Sequence, residues 1–219
     1  MANNYSRGTS NNIIVGAAAL YTFNGSLSGS IGEGDLPDFV AGESYKETLA
    51  TEALTVTDWR NVGYTSNGLE LQFMPDFGEV KVDQVLDVAR LFKQGMKVTM
   101  ATQFAEATLE NLLVSIAAAD ADKAEIATGT GVGAGSEELD LQSGELGAVP
   151  LERGIVAVGP GTGDPSVHKE RIYVGYRALS IDNVTVAAKR DAATEFAVSF
   201  RMLPIDNGSY GKIVDRVIA

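Results

Sequence analysis

Cysteine is absent from this 219-residue sequence, which excludes disulfide staples and thiolate metal sites and leaves the compartment unconstrained. Histidine occurs once, as His168. With one imidazole and no thiol, no zinc set is available. A serine nucleophile needs a base, and His168 stands in a Val-His-Lys-Glu setting on the approach to a strand, without a Gly-x-Ser-x-Gly elbow. It reads as a surface or strand-end histidine. Positive charge is scarce as well: 17 basic side chains face 29 acidic ones, a formal net charge of −12. That balance disfavours a surface that holds nucleic acid by its phosphates or binds anionic lipid. Long hydrophobic runs are missing too. The best candidate, residues 13–21, is nine residues long, too short to span a bilayer, and only Arg7 within a polar run supplies a basic flank. It reads as a buried N-terminal strand, and the protein as soluble and used where it is made.

What is present is mostly period-two alternation, interrupted by one helical pattern. Residues 97–119 read as a strand followed by a helix, in which Leu109, Leu112, Leu113 and Ile116 fall at i, i+3, i+4 and i+7. This stripe is the predicted packing face of a helix laid on a sheet, and Glu106 lies near the positive end of its dipole. Residues 1–12 are small and polar and read as a flexible N-terminal arm. The apolar run that follows ends at Asn24-Gly25, a turn dipeptide. Residues 26–51 are rich in Gly, Ser and acid, with Leu36, Phe39 and Tyr45 among the few bulky side chains. Residues 120–150 are a second Gly/acidic stretch, in which 138–141 alternate and suggest one hairpin. Loops of this length are uncommon in a compact domain unless they carry function, so the first reads as a contact arm.

Between the two loops, Leu54, Val56 and Trp59 lead into Val62-Gly63-Tyr64. Ser66-Asn67-Gly68 offers the positive φ positions of a tight hairpin, after which residues 69–73 return in alternation. Pro75-Asp76-Phe77-Gly78 predicts another turn, and Val80 and Val82 a further strand. Val85, Val88, Ala89 and Phe92 have helical spacing, but propensity does not decide between helix and strand for 85–94. The last third predicts strands at 155–158, 172–178, 184–187, 196–200 and 213–218, with turns at 159–165, 189–191 and Asn207-Gly208. The sum is a single mainly β domain, a sandwich or barrel of about nine or ten strands with one flanking helix and two long loops.

No stretch carries convincing catalytic chemistry. The Gly129–Gly135 run lacks Gly-x-Gly-x-x-Gly spacing and follows a helix where a strand is needed, and residues 159–163 lack Gly-Lys-Ser/Thr. Asp120 and Asp122 are followed by Ala124 and Glu125 where a calcium loop wants another ligand and a glycine. Glu137-Glu138 lies in a loop with nothing to desolvate it. Trp59, Tyr173, Tyr176, Phe196 and Phe200 read as core at period two, although a sugar-binding face uses the same residue types. The expectation is a protein without enzymatic activity, cofactor or metal.

Asn12-Ile-Ile-Val-Gly16-Ala-Ala-Ala-Leu20-Tyr21, Trp59-Arg-Asn-Val-Gly63-Tyr-Thr65, Lys81-Val-Asp83-Gln84, Phe104-Ala-Glu106-Ala-Thr-Leu109-Glu-Asn111-Leu112 and the closing Leu203-Pro204-Ile-Asp206 with Tyr210-Gly211 occur in that order. Taken together, they resemble the major tail tube proteins of long-tailed bacteriophages of the siphovirus type, over most of the chain outside the two loops. The resemblance implies a β-sandwich or barrel joined edge to edge into rings, generally hexameric, stacked into a hollow tube in the virion tail. It implies assembly in the cytoplasm of the host bacterium and contact with tape-measure, tail-terminator and distal-tail proteins. Genomic DNA would pass through the lumen without specific binding, and no membrane would be involved. Ordering of the two loops on a neighbouring ring makes Leu36, Phe39, Tyr45, Leu139 and Leu141 the candidate inter-subunit contacts. A non-catalytic carbohydrate-binding or adhesin module shares the strand count and turn chemistry and stands as the alternative.

Overall fold

The computed structural model describes residues 13–23, 36–52, 59–84, 87–118, 123–126, 136–139, 141, 146, 150–162, 168–191 and 193–218. In chain order these form β1 (Ala19–Phe23), α1 (Tyr45–Glu52), β2 (Trp59–Asn61), β3 (Thr65–Val80), β4 (Arg90–Phe104) and α2 (Leu109–Ser115). Then follow β5 (Lys123–Ile126), β6 (Ser136–Leu139), β7 (Arg153–Pro160), β8 (Lys169–Ser180), β9 (Phe196–Leu203) and β10 (Gly211–Val217). The fold is mainly β, as expected. Eight strands make one antiparallel sheet, ordered β2-β1-β7-β8-β9-β4-β3 with β10 attached to β8, and β5 and β6 pair separately. That small pair is the hairpin expected within 120–150. No helix among the described residues is long and apolar enough to cross a membrane.

Strand β8 organises the sheet. One edge pairs with β7, while the other pairs first with β10, from Lys169 to Gly175, and then with β9, from Arg177 to Ser180. Strands β10 and β9 therefore diverge from one strand, joined by a turn at Asn207-Gly208 where Gly208 takes φ +81°. That turn was legible in the sequence, because few residues other than glycine and asparagine adopt positive φ cheaply.

Both faces of β7 are covered. Ile155 and Ala157 enter a core with Leu20, Val98, Met100, Phe104, Val198 and Phe200, and Val156 and Val158 enter a second with Tyr21, Tyr45, Leu49, Trp59 and Ile172. In the first core Phe104 meets Phe196 edge to face at 5.7 Å between ring centroids, an arrangement that aromatic quadrupoles favour. Helix α1 supplies Tyr45 and Leu49 to the second core. The sequence reading of 26–51 as loop missed this helix. Its eight residues carry no clear apolar stripe, and Tyr45 and Leu49, one turn apart, turn inward together with the polar Thr48.

Other expectations are corrected in the same way. The apolar run starts pairing only at Ala19, and Ile13 and Val15 are exposed. Residues 66–68 and 75–78 are not hairpin turns: both lie inside β3, the first as a bulge against β4 and the second opposite a bulge in β4 at Gln94. The open segment resolves as strand from Arg90 onward, with residues 85 and 86 outside the described ones. Residues 184–187 form no strand; Val184 packs on the first core, while Val186 is exposed. The expected strand at 54–56 falls outside the described residues.

Helix α2 forms after the predicted strand, but it is shorter than expected and turned about its axis. Its buried residues are Asn111, Leu113, Val114 and Ser115; Leu109 and Leu112 are half-buried and Ile116 is exposed. Asn111 explains the rotation. Its Nδ2 donates to the Val62 carbonyl at 2.8 Å and to the Glu106 carbonyl at 2.9 Å, so a polar side chain takes the inward position beside the apolar ones. Thr108 caps the helix by accepting the Asn111 amide at 3.2 Å, and the Glu106 carboxylate accepts the Tyr64 amide.

The C-terminal end of α2 is closed by Ala118 N–H donating to the Leu113 carbonyl and Ala117 N–H to that of Val114. This is the paired-bond closure that normally places glycine in the left-handed position, yet Ala117 holds it at φ +56°. Replacing Ala117 by glycine removes the Cβ strain and is expected to stabilise the protein by about 0.5–1 kcal/mol, read as a higher urea midpoint at unchanged m.

Candidate assembly surface

Strands β3 and β4 start inside the first core and leave it. Leu69, Leu71, Met96 and Val98 pack there, but from Gln72 to Val80 every residue except Gly78 is exposed, as is every residue from Arg90 to Gln94. At about 3.3 Å per residue, the nine residues from Gln72 to Val80 make an arm roughly 30 Å long. Its distal part is strongly apolar: Phe73, Met74, Phe77, Val80, Leu91 and Phe92 are each more than 40% exposed. Single exposed apolar residues are ordinary, whereas several clustered along one projecting strand pair are the kind of surface that takes a protein, membrane or ligand partner.

The two bulges shape the arm. At the base, Asn67 and Gly68 take φ of 61° and 70°, and the pairing jumps from Ser66↔Gln103 to Glu70↔Ala101. Thr102 Oγ1 donates to the Gly68 carbonyl at 2.8 Å, Asn67 Nδ2 donates to Gln103 Oε1, and Gln103 Nε2 donates to Glu195 at 2.8 Å. The positive φ values foreseen at 67–68 are therefore present, but they kink a continuing strand and do not reverse the chain. Further out, Gln94 is the extra residue opposite the Asp76/Phe77 step. Gly78 there has room for no Cβ, since the Phe92 ring and the Gln94 amide lie over it.

The edge strand β10 crosses behind the arm. Its Asp215 carboxylate accepts from Arg171 Nε at 2.5 Å and Nη2 at 2.6 Å across the β8/β10 pairing. The guanidinium holds the Asp215 carboxyl below the usual carboxylate range. Between β10 and the base of the arm lies a cavity of about 300 Å³, whose walls include Leu71, Met96, Val98, Met202 and Tyr210. The Tyr210 hydroxyl donates to the Met96 carbonyl at 2.7 Å, which ties the 205–210 turn to β4.

On the other side of the sheet, α1 is fastened by a buried carboxylate. Glu170 is 3% exposed; it accepts the Tyr45 amide at 3.0 Å and the Ser44 hydroxyl at 2.9 Å, and pairs with Arg216 at 3.2 Å. Arg216 also donates to the Glu43 and Val40 carbonyls and stands 5.3 Å from the Phe39 ring centroid. One carboxylate thus caps the helix N-terminus and anchors the preceding segment to β10.

These placements sort the contact residues predicted from the sequence. Tyr45 is 1% exposed and belongs to its own chain's second core, and Leu36, half-buried, packs against that core. Phe39 is exposed but lies on Tyr45 at 4.9 Å. Leu139 packs on the first core, and Leu141 is exposed. The arm residues were missed, although the alternation from Leu69 to Val82 was visible, because two supposed turns broke it. His168 is exposed, and no group of three metal-ligating side chains occurs among the described residues. No protein-family model matches the chain, and no curated protein matches it.

Substituting Glu170 by glutamine leaves Arg216 without its buried counter-charge, and a loss of about 3 kcal/mol is expected. Trp59, the single tryptophan, shares the second core with Tyr45 and Leu49, so its emission should shift to longer wavelength as α1 loosens. Alkaline titration checks the same region. Burial first, then the Asp38 charge, pushes the Tyr45 hydroxyl up to about 12 against the pull of Arg216. The unfolded chain ionises Tyr45 near 10, so this contribution is complete below pH 10 and is lost as pH rises to about 12. Burial raises Tyr21 in the same sense. Tyr45→Phe should flatten the fall of the urea midpoint between pH 10 and 12.

Proposed function

We propose that this chain is a structural protein that assembles with copies of itself into stacked rings, forming the tail tube of a long-tailed bacteriophage. The observation that carries the reading is the β3–β4 arm, about nine residues of paired strand with exposed apolar side chains on both faces and no cover among the described residues. Such a surface is costly in water and finds its cover in a partner. The open edges point the same way. Strands β3, β10 and β2 each leave one edge unpaired among the described residues, and a ring former uses such edges to continue one sheet into the next subunit.

The order of sequence landmarks adds the family to this reading. As a tail tube protein, the chain works without catalysis or cofactor, is built into the virion tail after synthesis in the bacterial cytoplasm, and meets tape-measure, terminator and distal-tail proteins at the tube ends. Its charge of −12 then has a use. Double-stranded DNA carries about one negative charge per 1.7 Å of axis, so an acidic inner wall lets it slide where a basic one would hold it.

Negative-stain electron microscopy of the purified protein over a range of concentrations, beside size-exclusion chromatography, tests this directly. Rings or hollow tubes of uniform width are the expected result. A chain that stays monomeric throughout and binds glycans would replace the reading with the adhesin module.

A further inference from the structure

We propose that Phe77 and Leu91, at the outer part of the arm, seat in the apolar cavity between β10 and the arm base of a second copy; this rests on the self-assembly reading and names its contact. Register places the two surfaces in line. Along β3, Leu71, Phe73 and Phe77 share one face, and the pairings Phe73↔Val98, Pro75↔Met96 and Glu79↔Leu91 bring Val98, Met96 and Leu91 onto it. The extra residue Gln94 keeps this phase across the second bulge, as its contact over Gly78 on the opposite face shows. A single apolar strip therefore runs from the cavity wall to the outer arm.

The outer residues cannot fill the cavity of their own chain. Phe73 lines it, and Phe77 lies four residues further along a paired strand, roughly 13 Å away at about 3.3 Å per residue. The cavity, about 300 Å³, is walled mainly by hydrocarbon, sulfur and aromatic carbon. It is far larger than the roughly 30 Å³ a water molecule occupies in the liquid, and offers water few partners. Two adjacent hydrocarbon side chains suit it better in size and chemistry.

A second copy is the occupant that the chain itself supplies, since its exposed outer arm matches the cavity in size and chemistry. Residues 65–104 hold five acidic and four basic side chains, so the arm brings almost no net charge to the contact. Lys93, paired with Phe77 on the docking face, adds attraction. Each copy offers one knob and one cavity; used serially, as the self-assembly reading requires, the contact propagates into a ring or a filament, whereas reciprocal use would close a pair.

The absence of native cysteine gives a clean test. Phe77→Cys and Ser209→Cys are made in separate chains, Ser209 lying on the cavity wall, and mixed under mild oxidation. The expected product is a covalent pair formed only in the mixture, and a ladder of multimers when both substitutions are in one chain. Leu91→Cys with Ser209→Cys repeats the test from the other strand. In parallel, Leu91→Asp should weaken association at least tenfold with unchanged circular dichroism, because Leu91 is exposed in the single chain. Cross-linking of Phe77→Cys mainly to itself would overturn the proposal in favour of tip-to-tip arms. Tubes that form normally without either cross-link would overturn this contact and leave the assembly reading standing. A strict monomer at every concentration, with no cross-link, would overturn both.

Discussion

Strand β7 has no face left for water, since Ile155 and Ala157 point into one core while Val156 and Val158 point into the other. Double burial of this kind fixes register with unusual force, because a slip of one residue would exchange the two sets and misfit both cores at once. The neighbouring elements follow from it. Strand β1 must pair beside β7 with Leu20 to one side and Tyr21 to the other, α1 must cover the face bearing Val156, and β9 and β4 must carry Phe200 and Met100 to the face bearing Ile155. The arm is the part of the sheet that this constraint does not reach. Past Leu71 and Met96 the strands pack on neither core among the described residues, and their apolar residues are exposed in the single chain.

Period-two alternation made the sheet legible. The strands at β7, β8, β9 and β10 were all visible, because their apolar residues alternate or run continuously between turn residues such as Asn207-Gly208. What was not visible depends on contacts distant in sequence. Asn67-Gly68 announces two positive φ values, but a bulge and a hairpin turn require the same values, and only the presence of β4 alongside decides between them. Helix α1 is held by Glu170, 125 residues away, so a short segment without a strong stripe is helical through a tertiary cap. In α2 the Leu/Ile pattern pointed to a face about one position away from the one used, because Asn111 satisfies the Val62 carbonyl from inside. Local hydrophobic pattern cannot foresee a buried amide whose partner is 49 residues distant.

Charge and apolar surface are distributed unequally, and the inequality bears on how the chain behaves alone. A net charge of −12 repels like copies at long range, which about 10 Å of screening length at 0.1 M salt reduces but does not abolish at contact. A neutral arm rich in phenylalanine attracts at short range. The two effects act on different length scales, so association is governed by whether the arm reaches an apolar site before the bodies approach closely. On the self-assembly proposal, an arm roughly 30 Å long exceeds the screening length and makes contact before the full charges of two copies meet.

Geometry then decides the form of the assembly. A patch that matched itself would close into a pair and stop, leaving the edges of β3 and β10 open to further pairing. A projection and a cavity offset along the same strip also permit a reciprocal pair, and only the serial use of each projection in the next copy's cavity leads on to a ring or tube. The offset here is built into β3 itself: the residues that line the cavity and those that project lie on one continuous strand, so their separation is as rigid as the strand pair that carries them. A rigid offset yields a constant rotation and rise from copy to copy, and a constant step is what a ring or tube of uniform width requires.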